Sequence, residues 1–308
     1  MMTRRRALGL SIFAVVSLAM AGLAANQPDA PSPSVRSAQA RGETPAASPP
    51  AASPSAVALP AAPRQSVRVP AGPRIRGDLS DPQKKDIAMR LVSSAENSTL
   101  EWTTQYAYIE DIGDGRGYTG GIVGFCSGTG DMKAVVERYS AAVPRSRLAA
   151  YLPALRRVNG SDSHAGLDPG FAGEWRAAAA DPAFRAAQDA ERDRMYFGPA
   201  LSQAKQDGLR MLGQFVYFDA IVMHGANALV KLRRTAAETA PPPARGGDEA
   251  AYLEAFLTAR LALMEAEEAH EDVSRIEDAQ RVFLRERNFD LDPPLRWKVY
   301  GDAYEIGA

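Results

Sequence analysis

The chain predicts an α+β fold, mainly α-helical, with one small antiparallel sheet. Three observations carry that expectation. Apolar residues recur at helical spacing, first in DPQKKDIAMRLVSSA, where Ile87, Leu91 and Val92 share a face. Two short β-rich runs, Gln105 to Ile112 and Thr119 to Phe125, flank a cluster of glycines and read as a hairpin. From Asp131 onward the pattern is again mostly helical, interrupted at Asn159-Gly160, Asp168-Pro169-Gly170 and Pro241-Pro242-Pro243.

Taken in order, the chain begins with segments that do not belong to the fold. Arg4, Arg5 and Arg6 precede an apolar run, Ala7 to Leu23, and small residues follow. This is the layout of a signal peptide spanning residues 1–25, predicting a secreted, extracellular protein with no membrane attachment after cleavage. An anchor is the competing reading, but the run is short for a span and no stop-transfer pattern follows. The arginines match a twin-arginine signal only weakly, so the export route stays open. Residues 26–75 are rich in Pro, Ala and Ser without apolar periodicity, and predict a disordered linker or pro-region. The remaining 76–308 are enough for one two-lobed domain.

Within that domain, Ser80-Asp81-Pro82 supplies a helix start: a cap, then proline in the first turn. Later helices are expected at Asp131 to Val143, Ser146 to Val158, Pro182 to Arg194, Pro199 to Met223 and Glu249 to His270.

The formal charge of −1 hides an asymmetry. Arg4–Arg6 contribute +3 and residues 26–73 another +2, so the chain from Arg74 onward carries −6. An acidic domain argues against nucleic acid and suits a cationic ligand. The single cysteine, Cys126, excludes an internal disulfide and lies in an apolar run, as a buried structural thiol does.

Several chemistries lack their residues. Gly115 to Gly120 satisfies GxGxxG, but the strand-like sequence after it cannot offer a helix N-terminus to a pyrophosphate. His164, His224 and His270 are widely separated and HExxH fails at His270, so no metal site is expected. No GxSxG elbow occurs. No cofactor is implied, and nothing demands more than a monomer.

The stretch that does carry chemistry runs from Glu96 to Asp131. It places Glu96 at the end of a helix and Asp114 at the tip of a glycine-rich turn. Two carboxylates held on opposite sides of a cleft suit hydrolysis of a glycosidic bond, one donating a proton and one activating water. On residue types alone, Glu96 reads first as a surface charge, Asp114 as an ordinary turn residue and Asp131 as a helix cap. Asp219, inside the apolar run Phe215 to Met223, requires a buried partner, usually arginine.

The segments LVSSAENSTLEW, YIEDIGDGRGYTGGIVGFCSGTGDM, YLPALRRVNGS, ERDRMYF, GQFVYFDAIVMHG, SRIEDAQRVFL and LDPPLRWKVYGD together resemble the chitosanases of glycoside hydrolase family 46. The resemblance runs in order through 76–308. It implies a lysozyme-like two-lobed fold with the small sheet beside the active cleft, and internal cleavage of chitosan polymer and oligomers with inversion. By motif it implies Glu96 as general acid and Asp114 as general base. Thr119 would help hold the attacking water, and Arg116 would orient the base. Asp131 would bind a glucosamine ammonium, with Glu110, Glu267 and Glu271 as further acidic contacts. Arg275, Asp219 and Arg260 would form a buried ion-pair network behind the acid. Trp102, Trp175 and Trp297 would serve packing. An arginine beside the acid favours its carboxylate form, and Asp219 would offset part of that field. The loop His224 to Lys231 is shorter than the family pattern, so sugar contacts from it are not carried over. Two rival functions remain: a lysozyme- or chitinase-like hydrolase on the same scaffold, and a non-catalytic polycation- or wall-binding protein.

Overall fold

The computed structural model describes residues 65–68, 77–266 and 272–308. The expected signal peptide and most of the expected linker lie outside these residues, as do Glu267, His270 and Glu271.

Helix α1, Pro82–Asn97, starts where local chemistry dictates: the Asp81 carboxylate accepts from the backbone N–H groups of Gln83 (2.9 Å) and Lys84 (3.2 Å), with Pro82 in the first turn. Its apolar face, including Ile87, Leu91 and Val92, is buried. Lys84 is buried as well, and its Nζ donates to the carbonyls of Asp290 (2.6 Å) and Leu291 (3.1 Å) and pairs with Asp292 (2.6 Å). Near the other end, Trp297 Nε1 donates to Ser94 Oγ at 3.0 Å. The helix that carries Glu96 is thus braced at both ends.

Beyond a 3-10 turn at Trp102–Ala107 come β2 (Ile109–Asp111), β3 (Tyr118–Gly120) and β4 (Phe125–Cys126), an antiparallel sheet pairing Glu110 with Thr119 and Thr119 with Cys126. Around it pack α2 (Asp131–Ala142), α3 (Leu152–Val158), α4 (Phe171–Ala178) and α5 (Pro182–Arg192). A π-helical segment, Asp193–Phe197, joins α5 to α6 (Gly198–Gln206). The second group of elements is α7 (Met211–Thr239), α8 (Glu249–Glu265), the π-helical Arg275–Gln280 and α9 (Arg281–Arg285). It closes with the hairpin β5 (Leu295–Val299) and β6 (Asp302–Gly307). The architecture is the expected lysozyme-like α+β fold, dominated by helices.

Several expectations need correction. There are two three-stranded sheets among the described residues rather than one. The second contains β1, Gln65–Arg68, which pairs in parallel with β6, although residues 26–75 read as structureless. The run Gln105 to Ile112 is strand only over its last part, and Thr119 to Phe125 is split by a turn at 121–124, where Gly121 and Gly124 take positive φ. Pro199 to Met223 is two helices, broken at Asp207-Gly208. The second continues past a kink at Gly225 (φ 79°, ψ 167°) to Thr239. Although α7 is long and apolar enough to cross a membrane, its apolar stretch is mostly buried in the core.

Candidate active site

Glu96 lies in the last turn of α1, just before Ser98 caps the helix in the left-handed region (φ 51°). Its side chain is only 8 % exposed. Glu96 Oε1 stands 2.5 Å from Arg275 Nη2 but finds no aligned hydrogen bond, so the contact is a charge pair. The same Nη2 also donates to Asp219 Oδ1 at 2.8 Å, with Nε donating to it at 3.0 Å. Asp219 Oδ2 also accepts from Arg260 Nη1 at 2.7 Å and from Gln280 Nε2 at 2.6 Å. Burial alone would raise the Asp219 carboxyl, but the charges of Arg275 and Arg260, with their hydrogen bonds, outweigh it and hold it down at about 2.

The sequence alone does not reveal Gln280. It stands five residues after Arg275, a spacing that ordinary helical periodicity does not place on one face. The π-helical segment Arg275–Gln280 brings both side chains onto Asp219. Segments of this kind recur at functional sites.

Asp114 occupies the turn between β2 and β3. Its Oδ1 accepts from the Arg116 backbone N–H at 3.1 Å, and Oδ2 receives Arg116 Nε at 2.8 Å and Nη2. Backbone and side chain of Arg116 therefore grip both oxygens, and the carboxylate is 17 % exposed. The turn needs its glycines: at Gly117 (φ +70°) a Cβ would lie 2.5 Å from Ser127 Oγ. His164 flanks the hairpin, stacked on Tyr118 at 4.1 Å, with Nε2 3.1 Å from Asp111 Oδ2.

The other expected site residues are placed less as their expected roles suggest. Thr119 is fully buried, and its hydroxyl lies 3.4 Å from Cys126 Sγ. In this placement it is shielded from the water it was expected to hold. Asp131 is 4 % exposed and fully engaged: Oδ1 accepts from Cys126 N (2.8 Å), Thr129 Oγ1 (2.6 Å) and Met132 N (2.9 Å), and Oδ2 from Tyr196 OH (2.7 Å). Three of these donors crowd Oδ1 and one reaches Oδ2. Asp131 therefore stands in this structure as an internal acceptor that ties β4 to α2 and to Tyr196. Glu110 is exposed on β2, near Tyr108. Burial, and then the charge of Asp131, push the Cys126 thiol up to about 12, which removes it as a nucleophile. Among the described residues no group of three or more His, Cys, Asp or Glu side chains is placed to hold a metal ion.

Comparison with known proteins places this geometry in context. The sequence model of Glycosyl hydrolase family 46 matches residues 90–295. The chain is 58 % identical over 252 residues to a chitosanase of Streptomyces sp. (strain N174), covering 80 % of this chain and 89 % of that one. It is 59 % identical over 234 residues to a chitosanase of Nocardioides sp. (strain N106), covering 75 % and 84 %. Among solved structures, a co-crystal structure of chitosanase OU01 with substrate superposes with a TM-score of 0.72 at 56 % identity, over 75 % of this chain and 99 % of that one. Native chitosanase from Bacillus subtilis MY002 gives 0.67 at 35 % identity, over 73 % and 99 %.

Proposed function

This chain belongs to glycosyl hydrolase family 46 and is a glycoside hydrolase, and from that premise we propose that it is a secreted, monomeric endo-chitosanase. It cuts β-1,4 linkages between glucosamine units of chitosan with inversion at the anomeric carbon. Relatives named chitosanases at more than half identity support the substrate. The observation that carries the chemistry is the buried Glu96 set against a shared guanidinium.

Glu96 gives its proton to the glycosidic oxygen as the bond to the anomeric carbon breaks. Asp114 takes a proton from the water that attacks that carbon. The network behind Glu96 favours this direction of transfer. Two guanidiniums, Arg260 and Arg275, face two carboxylates, Asp219 and Glu96. A protonated Glu96 leaves one buried positive charge in excess, and releasing the proton restores balance. Arg275 therefore stabilises the carboxylate that forms in the transition state, where the stabilisation accelerates reaction. Arg116 holds Asp114 fixed in its turn. The net −6 of the chain from Arg74 onward attracts a polycation at acidic pH, when glucosamine units are charged.

The test is Glu96→Gln, which keeps shape and removes the proton. Chitosan viscosity should then hold steady over times in which the wild type liquefies it, a loss of about 10²–10⁴-fold, with the melting temperature little changed. Turnover within a few-fold of wild type would remove Glu96 from the acid role.

A further inference from the structure

The hairpin of β5 and β6 closes on two residues, Tyr300 and Gly301, between the paired Val299 and Asp302. Both take positive φ, 52° and 83°. That is the signature of a tight primed turn, for which Asn-Gly or Asp-Gly is the favoured pair. A bulky aromatic at the first position is costly in the left-handed region. Tyr300 is also 49 % exposed, so burial of its ring does not repay that cost. Residues held in such strained conformations cluster at active sites and ligand clamps.

Its location gives the strain a purpose. The first strand of the hairpin is tied to α1 by the Trp297 hydrogen bond to Ser94, two residues before Glu96. The turn is tied to the start of the π-helical segment: the Tyr300 backbone N–H donates to Ser274 Oγ at 2.9 Å, and Ser274 Oγ donates to Asp272. Ser274 immediately precedes Arg275, which contacts Glu96. The hairpin therefore bridges the two elements that carry the acid and its arginine. Burial raises the Tyr300 phenol above its ordinary value, against the charge of Arg275 and with that of Glu96, so the residue stands within the field of the acid and its arginine.

We propose that Tyr300 is a substrate-contacting residue, its ring the apolar platform against which a glucosamine ring packs beside Glu96. The inference rests on the reading of the chain as a chitosanase with Glu96 as acid. The apolar C–H face of a pyranose matches an aromatic face, and the strained backbone fixes the ring before substrate arrives, lowering the ordering cost of binding.

The experiment replaces Tyr300 with the residue the turn prefers. Tyr300→Asn should melt at or above the wild-type temperature, since strain is relieved. Its KM for glucosamine oligomers should rise about tenfold, with kcat within about twofold, the pattern of lost uniform binding. Tyr300→Phe should behave as wild type, because the ring is kept. An unchanged KM in Tyr300→Asn overturns the proposal. So does a rise in KM accompanied by a lowered melting temperature, which marks a structural role, or an equal rise in Tyr300→Phe, which assigns the contact to the hydroxyl. Oligomer binding to Glu96→Gln protein, with and without Tyr300→Asn, reads the contact in the absence of hydrolysis. Retained turnover in Glu96→Gln would overturn the acid assignment while leaving the Tyr300 comparison intact.

Discussion

Replacing Asp219 with asparagine removes one charge from the centre of the buried network and leaves its shape nearly unchanged. Arg260 is fully buried and Arg275 is 5 % exposed, so Arg260 loses its counter-charge and Arg275 one of its two where water cannot substitute. Breaking a buried pair from one side costs about 3–5 kcal/mol. An independent bound comes from the carboxyl itself, held at about 2 against an ordinary 3.8. At 1.36 kcal/mol per unit this difference is worth about 2 kcal/mol. Taking about 3 kcal/mol, and 2–4 °C per kcal/mol for a domain of this size, the melting temperature should fall by roughly 6–12 °C at neutral pH. The pH dependence has a definite sign. A carboxyl with a depressed folded value contributes fully above about 4, and its contribution fades as pH falls towards 2. The gap between wild type and Asp219→Asn, followed by circular dichroism melting from pH 7 to pH 2, should therefore be constant down to about 4 and narrow below it. A variant within about 1 kcal/mol of wild type at pH 7, or a gap that does not narrow in acid, would refute the argument. Activity should also fall, because the guanidinium that contacts Glu96 loses the carboxylate that fixes its position.

Other consequences follow from the same geometry. Arg116→Ala frees both oxygens of Asp114 and should lower kcat by roughly 10–100-fold, with a smaller effect on KM, in initial-rate assays on oligomers. Trp297→Phe removes the hydrogen bond to Ser94 near the end of α1, and urea unfolding should register a loss of about 1 kcal/mol. Cys126, buried with its thiol pushed up to about 12, should resist alkylation in the native enzyme at pH 8 and react once the chain is unfolded.

Much of the fold was legible because its signals are local. Asp81-Pro82 starts α1, and the spacing of Ile87, Leu91 and Val92 sets its buried face. What escaped the sequence depends on contacts distant in the chain or on unusual backbone. The strand Gln65–Arg68 exists through its pairing with residues 304–307, more than two hundred positions away, inside a run whose composition suggests no order. The hairpin 295–307 lacks an Asn-Gly turn, because a tyrosine stands there. In the site, Asp219 announced itself as a charge in an apolar run, and the structure supplies Arg260 and Arg275 as its partners. Gln280 was hidden by the π-helical spacing, and the engagement of Asp131 by four internal donors required coordinates to see.

In the proposed reaction two carboxylates split chitosan by direct attack of water, one protonating the leaving oxygen and one activating the nucleophile. Proton NMR of the first product released from chitosan reads this directly. The new reducing end should appear first as the α-anomer and only later mutarotate. A β-anomer appearing first would contradict it, because retention requires a covalent sugar–enzyme intermediate that the assigned roles of Glu96 and Asp114 do not provide.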